Sequence, residues 1–448
     1  MSQTNHANHA RQAQKILDSI KKNNATGDVI IDAGNSLSLK ANKGELEEYK
    51  VSSSQIFGVR VIKDNKVGTA YSEASDDDAL ELMVQQAIQN AGFSQAEPLE
   101  MINAQTDQLS SDERILNPED NTSTDEKIAF LFELESSVLA GKHVQSVPYN
   151  GVNSTSSSRS IYTSSGLTAF TQQRFSNAYA YALAKQGDNN TMQGHGTLGR
   201  KFSELDLNSV TKKVLNDCES MLLGKPIASK NYDVIFDEEM IVNVFNVFSM
   251  ALNGRSAKDG VNPWREKVAK QVANNQLTIL DNPLNKQGFG YQTFDAEGFA
   301  NQTTHIIKNG ELKTLLHNSV TAKHFNVANT FNASRGPKST LGVSGVQMEI
   351  KPGTGQGELY EGEYLLITDL TGMHSGANAI SGDFSFGASG YLCKDGERLQ
   401  AVRGITVAGN FYQMLNNIKA IGNIQKWNWT KSDLVVDIRF ADLSVSGK

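Results

Sequence analysis

Residues 154–185 alternate without charge blocks, and the alternation is broken only where Ser164-Ser165-Gly166 supplies a turn. No other stretch narrows the fold as much. Two extended strands lying side by side require a sheet, and a sheet requires elements packed on its buried face. The run Ser156-Ser157-Ser158 is low in complexity, yet strand-like Ile161-Tyr162 and Tyr179-Ala180-Tyr181 flank it. An amphipathic helix is expected at residues 11–22, with Ile16, Leu17 and Ile20 on one side. Strands are expected at residues 28–33 and 36–42, then a hairpin of residues 55–62 and 67–71 turned at Asp64-Asn65. A second helix, residues 77–91, lies between a Ser75 or Asp76 cap and Gly92. Residues 94–122 read as a long connection. The capping box Ser123-x-x-Glu126 opens a third helix through Leu139.

A fourth helix, residues 209–222, ends at Gly224 with Pro226 just beyond, and that punctuation marks a domain boundary. The second half is richer in strands. After a strand at residues 232–236 comes a helix over residues 238–252, closed by Gly254. Short strands follow at 277–280, 304–308, 345–350 and 364–369, then a hairpin over 387–402 turned at Asp395-Gly396. A helix near 413–421 and a final strand over 434–440 complete the reading. The expected class is α+β in two domains: a helix-plus-sheet domain, 1–224, and a strand-rich, barrel-like domain, 225–448.

A length of 448 residues suits two domains better than one compact core. No segment is continuously apolar for long enough to cross a bilayer, and residues 1–10 lack the plan of a signal peptide. Cys218 and Cys393 make no disulfide framework and suit a reducing compartment, so a cytoplasmic protein is expected. The net charge is −7; residues 1–224 carry 20 basic against 28 acidic side chains, and residues 225–448 carry 22 against 21. Neither half has the basic excess that phosphate neutralisation needs, so no direct nucleic-acid ligand and no membrane partner are expected.

The block Ser381-Gly382-Asp383-Phe384-Ser385-Phe386-Gly387-Ala388-Ser389-Gly390 is followed by Asp395-Gly396-Glu397 and by Gly404-Ile405-Thr406-Val407-Ala408-Gly409-Asn410. It resembles the C-terminal signature of the TldD/PmbA family. Leu198-Gly199-Arg200, Val234-Ile235-Phe236 and Phe294-Asp295-x-Glu297-Gly298 match in the same order. The resemblance implies a two-domain fold and a protease built from two related subunits. In that family the TldD-type subunit carries a His-Glu-x-x-x-His helix and a C-terminal cysteine for zinc, whereas the PmbA (TldE) type lacks the metal motif. The helix after Val234-Ile235-Phe236 decides between them. Its window reads Asn246-Val247-Phe248-Ser249-Met250-Ala251, so Asn246, Val247 and Ala251 stand where metal ligands and a general base would be. The cysteine expected within 422–432 is replaced by Trp427-Asn428-Trp429. No cofactor is expected in this chain; zinc is expected in a TldD-type partner.

The glycine-rich loop at 372–383 is the best site candidate on chemistry alone, with His374, Ser375, Asn378, Ser381 and Asp383 as residues that would face a peptide. His305, His317, His324 and His374 show no zincin spacing, although His317 and His324 would stack on one helical face. His6 and His9 lie on a polar terminus and read as disordered. Gly353-x-Gly355-x-Gly357 opens no helix and is a poor phosphate loop. Trp427 and Trp429 either anchor a partner or pack in the C-terminal sheet. The expected function is that of a metal-less subunit of a cytoplasmic metalloprotease complex acting on unstructured peptides, with a homodimer possible for the isolated chain. A stand-alone peptide-binding or regulatory protein is the other reading, and a hydrolase using His374 with Asp383 is a third.

Overall fold

The computed structural model describes residues 3–448, with side chains from Asn8 onward. The first half runs α1 (Gln3–Lys22), β1 (Thr26–Asn42), β2 (Glu45–Lys63), β3 (Lys66–Ser72), α2 (Asp77–Phe93), β4 (Gln108–Ser110) and α3 (Glu113–Leu116). It continues with α4 (Thr124–Leu139), β5 (Val144–Thr163), β6 (Thr168–Gln186), β7 (Asn189–Gly199) and α5 (Leu207–Leu222). The strands form one sheet in the order β3-β2-β1-β5-β6-β4, with β7 also on β6.

The helices divide one face of this sheet between them. α1 and α2 repeat their apolar positions at helical spacing (Ala13, Ile16, Leu17, Ile20; Leu80, Met83, Val84, Ala87) and pack on Val29, Ile31, Phe57 and Val59 at one end. At the other end α4 and α5 bring Leu131, Leu134, Val138, Val210 and Val214 onto Leu39, Val152 and the row Ala178, Ala180, Ala182, Ala184. A strand that presents only methyl groups lets two helices lie close to it. Burial of each large apolar side chain contributes about 1.5–3 kcal/mol. Glu135 of α4 holds the β1–β2 turn, its two carboxylate oxygens accepting from Lys43 N and Gly44 N at 2.8 Å each. The β2–β3 turn has Asp64 and Asn65 at φ 51° and 59°, the doubly left-handed geometry that matches strand twist.

The second half opens with β8 (Lys230–Phe236) and α6 (Glu238–Val247), then β9 (Ile279–Asp281), β10 (Thr304–Lys308), β11 (Glu311–Leu312), β12 (Ala333–Ser334), β13 (Gly342–Val343) and β14 (Met348–Ile350). It ends with β15 (Glu363–Thr371), β16 (Asp383–Lys394), β17 (Glu397–Asn410), β18 (Ile418–Trp427) and β19 (Leu434–Ser446). Pairings run β8-β15-β16-β17-β19, and β19 pairs back onto β8, so these strands close into a barrel. Phe236, Phe245, Phe248, Phe384, Phe386, Phe411 and Phe440 belong to its core. The α+β class and the barrel-like C-terminal half are as the sequence indicates. Among the described residues no helix is long and apolar enough to cross a membrane.

Several local expectations fail for physical reasons. The two strands expected at 28–33 and 36–42 are one, because Gly34 and Asn35 stay paired to β2 and β5. Gly92 does not stop α2, which runs to Phe93. The helix expected at 238–252 ends at Val247 and continues as a tighter turn, Ser249–Leu252. Residues 413–421 are not a helix: one turn, Phe411–Met414, gives way to β18, where Ile418 pairs with Phe440. A single turn, Gln356–Leu359, does follow Gly355. β7 was not expected. His9 is buried in α1, within 3.0 Å of Gln55 Nε2 and edge-on to Phe57. The side chain of His6 lies outside the described residues.

Candidate functional site

Alternation along β1 splits its side chains by parity. The odd residues Val29, Ile31, Leu37, Leu39 and Ala41 enter the helix-covered core, and the even residues from Asp28 to Ser36 face the second half of the chain. Read across β2, β1, β5 and β6, the even face forms successive rows. Arg60 and Asp28 come first, then Gly58, Ile30, Ile161 and Ala169. Next come Ile56, Asp32, Arg159 and Thr171, then Ser54, Gly34, Ser157 and Gln173, and finally Ser52, Ser36, Thr155 and Phe175.

The first two rows are sealed by the other domain. A side chain at Gly58 would collide with the Pro337 backbone, and Phe294 packs on Ile30, Ile161, Leu167 and Ala169. Asp28 pairs with Arg60 at 2.6 Å and also with Arg335 of the second domain; Arg60 reaches Glu100 at 2.8 Å. Burial alone would raise the Asp28 carboxyl, but Arg335 and Arg60 outweigh it and hold the group below its ordinary range. Burial together with facing cations pulls Arg335 down.

The remaining rows are open. They floor a cleft of about 660 Å³ whose opposite walls are the backbone-rich segments 289–292, 333–335 and 344–346. Apart from Ile56, Gln173 and one ion pair, the floor is hydroxyls and small side chains, and that pair is bidentate: Arg159 Nε and Nη2 donate to the two Asp32 oxygens at 2.8 and 2.7 Å. Asp295 lines the wall but turns onto the backbone, accepting from Glu297 N, Phe299 N and Ala333 N at 2.9–3.2 Å. Burial first, and then Glu297, push its carboxyl up.

Ser344, Gly345 and Val346 also line a second cavity of about 290 Å³, which reaches the end of α6. Asn246 is exposed beside it, Val247 is half-buried, and Ala251 is fully buried. The turn that follows Val247 removes Ala251 from the face that α6 itself presents. An amide, an isopropyl and a methyl group offer zinc neither thiolate nor imidazole, so the metal does not fit this window. Asp281 and Asp433, on the same cavity, hold the 346–348 segment: Asp281 accepts from Val346 N and Gln347 N, and Asp433 from Met348 N. Burial raises both carboxyls. Among the described residues no three His, Cys, Asp or Glu side chains are grouped to hold a metal ion.

The loop chosen on chemistry lies elsewhere, between β15 and β16. His374, Ser375, Asn378, Ser381 and Asp383 are exposed and line neither cavity. Asn378 Oδ1 accepts from Ile380 N and Ser381 N, while Asp383 accepts from Ser381 Oγ and Asn410 Nδ2 at 2.8 Å each. Those bonds hold the Asp383 carboxyl below its ordinary range. His374 is not brought to Asp383 by any bond, whereas Tyr412 ties the loop to the barrel through Ala379 O and stands 6.2 Å from the Phe248 ring. His305 and His317 line one cavity of about 530 Å³, but the four histidines do not gather into a metal set. His317 precedes the N-cap Asn318 of a short helix, so it shares no helical face with exposed His324. It is buried on Thr321 Oγ1, and burial lowers it to about 4. Trp429 packs over Gly196 of β7, and Trp427 over Gly288.

Sequence reasoning missed the cleft floor. Its signal was present as low complexity on three segments at once, Gly34–Ser36, Ser52–Ser54 and Ser154–Ser158. Only register shows that their alternate residues share a face.

Comparison with known proteins gives matches to three models of one family: PmbA/TldA metallopeptidase domain 1 over residues 27–91, the central domain over 117–222 and the C-terminal domain over 229–447. The protein from Escherichia coli O157:H7 called metalloprotease PmbA is 27% identical over 408 residues, covering 88% of this chain and 87% of that one. TldE from Thermococcus kodakarensis superposes with a TM-score of 0.84 at 18% identity over 97% of this chain and all of its own. A candidate modulator of DNA gyrase from Thermotoga maritima superposes at 0.85 with 24% identity, covering 98% of this chain and all of its own. At such identities the two structures speak for the fold alone.

Proposed function

The chain belongs to the TldD/PmbA family, and from that premise we propose that it is a PmbA/TldE-type, metal-less subunit of a cytoplasmic metalloprotease acting on unstructured peptides with a TldD-type partner. One observation carries this reading: a cleft floored by hydroxyls and walled by backbone leads, through Ser344–Val346, to a helix end with no metal donors. Zinc and its water are the partner's contribution. This chain binds and orients the peptide. An extended peptide satisfies its backbone against strand-like walls, and a floor of serine, threonine and glycine tolerates many side chains.

The test is cleavage of an unstructured peptide by the purified chain alone and together with its TldD-type partner. Cleavage is expected only with both, and it should be lost on chelation. Chelator-sensitive cleavage by this chain alone would overturn the reading. Elemental analysis of the lone chain should find well under one zinc per molecule. Asn246→His with Val247→Glu and Ala251→His should bind zinc only weakly, because the groups that orient metal-bound imidazoles are missing as well.

A further inference from the structure

Within the cleft the ion pair is placed and exposed differently from every other charged group nearby. Asp32 fixes the Arg159 guanidinium through Nε and Nη2, and Nη1 has no hydrogen-bond partner among the described residues. The pair is half-open, with side-chain exposures of 36% and 30%, and both residues line the cleft. Its neighbours on the floor are neutral: Ile56, Thr171, Ser157, Gly34. The acid across the cleft, Asp295, is turned onto three backbone N–H groups and does not compete for Arg159. Arg335, also on the wall, feels the Arg159 charge and has a buried Nε without a partner.

Resting on the peptide-cleft reading, we propose that Arg159, braced by Asp32, is a carboxylate anchor that takes the C-terminus or an acidic side chain of the bound peptide. A guanidinium locked on one edge keeps a second planar edge for a second carboxylate, with little side-chain entropy left to lose. Asp32 acts through Arg159 as a positioning residue. The anchor would give a sequence-tolerant cleft a fixed point from which peptide register is set.

The experiment uses the full chain and one fluorescent unstructured peptide containing a single glutamate, made as the free acid, the C-terminal amide, the Glu→Gln version and the form lacking both carboxylates. With the unmodified chain, loss of the relevant carboxylate should weaken binding on the order of tenfold. Sensitivity to amidation assigns the C-terminus; sensitivity to Glu→Gln assigns the side chain. Arg159→Gln should abolish the difference between the four peptides, and Arg159→Lys should keep only part of it. Equal binding of all four peptides by the unmodified chain overturns the anchor and leaves the cleft reading standing; this arm needs no variant to fold. Discrimination that survives Arg159→Gln also overturns the anchor. Failure of every peptide to bind removes the cleft reading and the anchor together.

Discussion

Asp28 and Asp32 lie on the same strand and the same face, and each is paired with arginine, yet they behave as opposite devices. Asp28 is dry, bridged to Arg60 and Arg335, with side-chain exposures of 3% for the acid and 1% for each arginine. Asp32 is about one-third open and holds one arginine. The difference comes from what lies above the strand. Pro337 and Phe294 seal the first rows, and the next ones look across an open cleft. A buried ion pair resists being broken, because the surviving charge is stranded in low dielectric. An exposed one contributes little to stability and keeps its chemistry available.

Breaking the sealed pair should have the largest effect. Asp28→Asn leaves two buried guanidiniums facing each other and should cost about 3–5 kcal/mol in chemical denaturation. Arg335→Ala should cost a similar amount and also loosen the contact between domains, seen as faster proteolysis of the linker near Gly224. A loss below about 1 kcal/mol for Asp28→Asn would show that the cluster is wetter than its burial indicates. Next in size is Asp32→Asn, which should change stability by less than about 1 kcal/mol but remove most of the carboxylate preference measured for the cleft. Equal stability losses at the two positions would erase the contrast.

The smallest effect is titration. The Asp28 carboxyl is depressed in the folded state, so its stabilising contribution is complete above the ordinary value of 3.8 and is lost as pH falls through the lower folded value. Glu100 is shifted the other way: burial raises it, so its contact with Arg60 weakens earlier on acidification. Acid unfolding followed by tryptophan fluorescence should therefore show a late, steep limb below pH 3.8 that Asp28→Asn flattens. A limb unchanged by that substitution would move the acid-sensitive group elsewhere.

What could be read from the sequence follows the range of the interactions involved. The Ser123–Glu126 box and the Asp64-Asn65 turn are local, and the structure keeps both. The C-terminal signature identified the family because its residues are contiguous. The break after Val247 was hidden, since Phe248 leaves the helix in order to stack on Phe411 at 4.4 Å, a partner far along the chain. Residues 418–421 look helical in isolation and become a strand because β19 is there to pair with them. The loop holding His374 and Asp383 attracted attention by residue type, but most of its polar atoms serve its own turns. The floor of the cleft uses unremarkable serines and acquires meaning only from four strands in register. Arg159 and Asp32, separated by 127 positions, gave no signal in either neighbourhood.

β1 does three jobs in one phase. Its even residues seal a domain contact at Asp28 and floor the cleft from Asp32 to Ser36, while odd residues such as Leu39 complete the core beneath α4 and α5. At roughly 3.3 Å per residue the strand serves as a ruler on which these tasks are marked. Insertion of one residue between Ser36 and Leu39 would turn every later residue to the wrong side, whereas insertion of two would keep each on its own side at the cost of a two-residue shift along the strand. Viable length variation along this strand is therefore quantised in pairs. A library of insertions at Leu37 should return folded proteins at even lengths and not at odd ones.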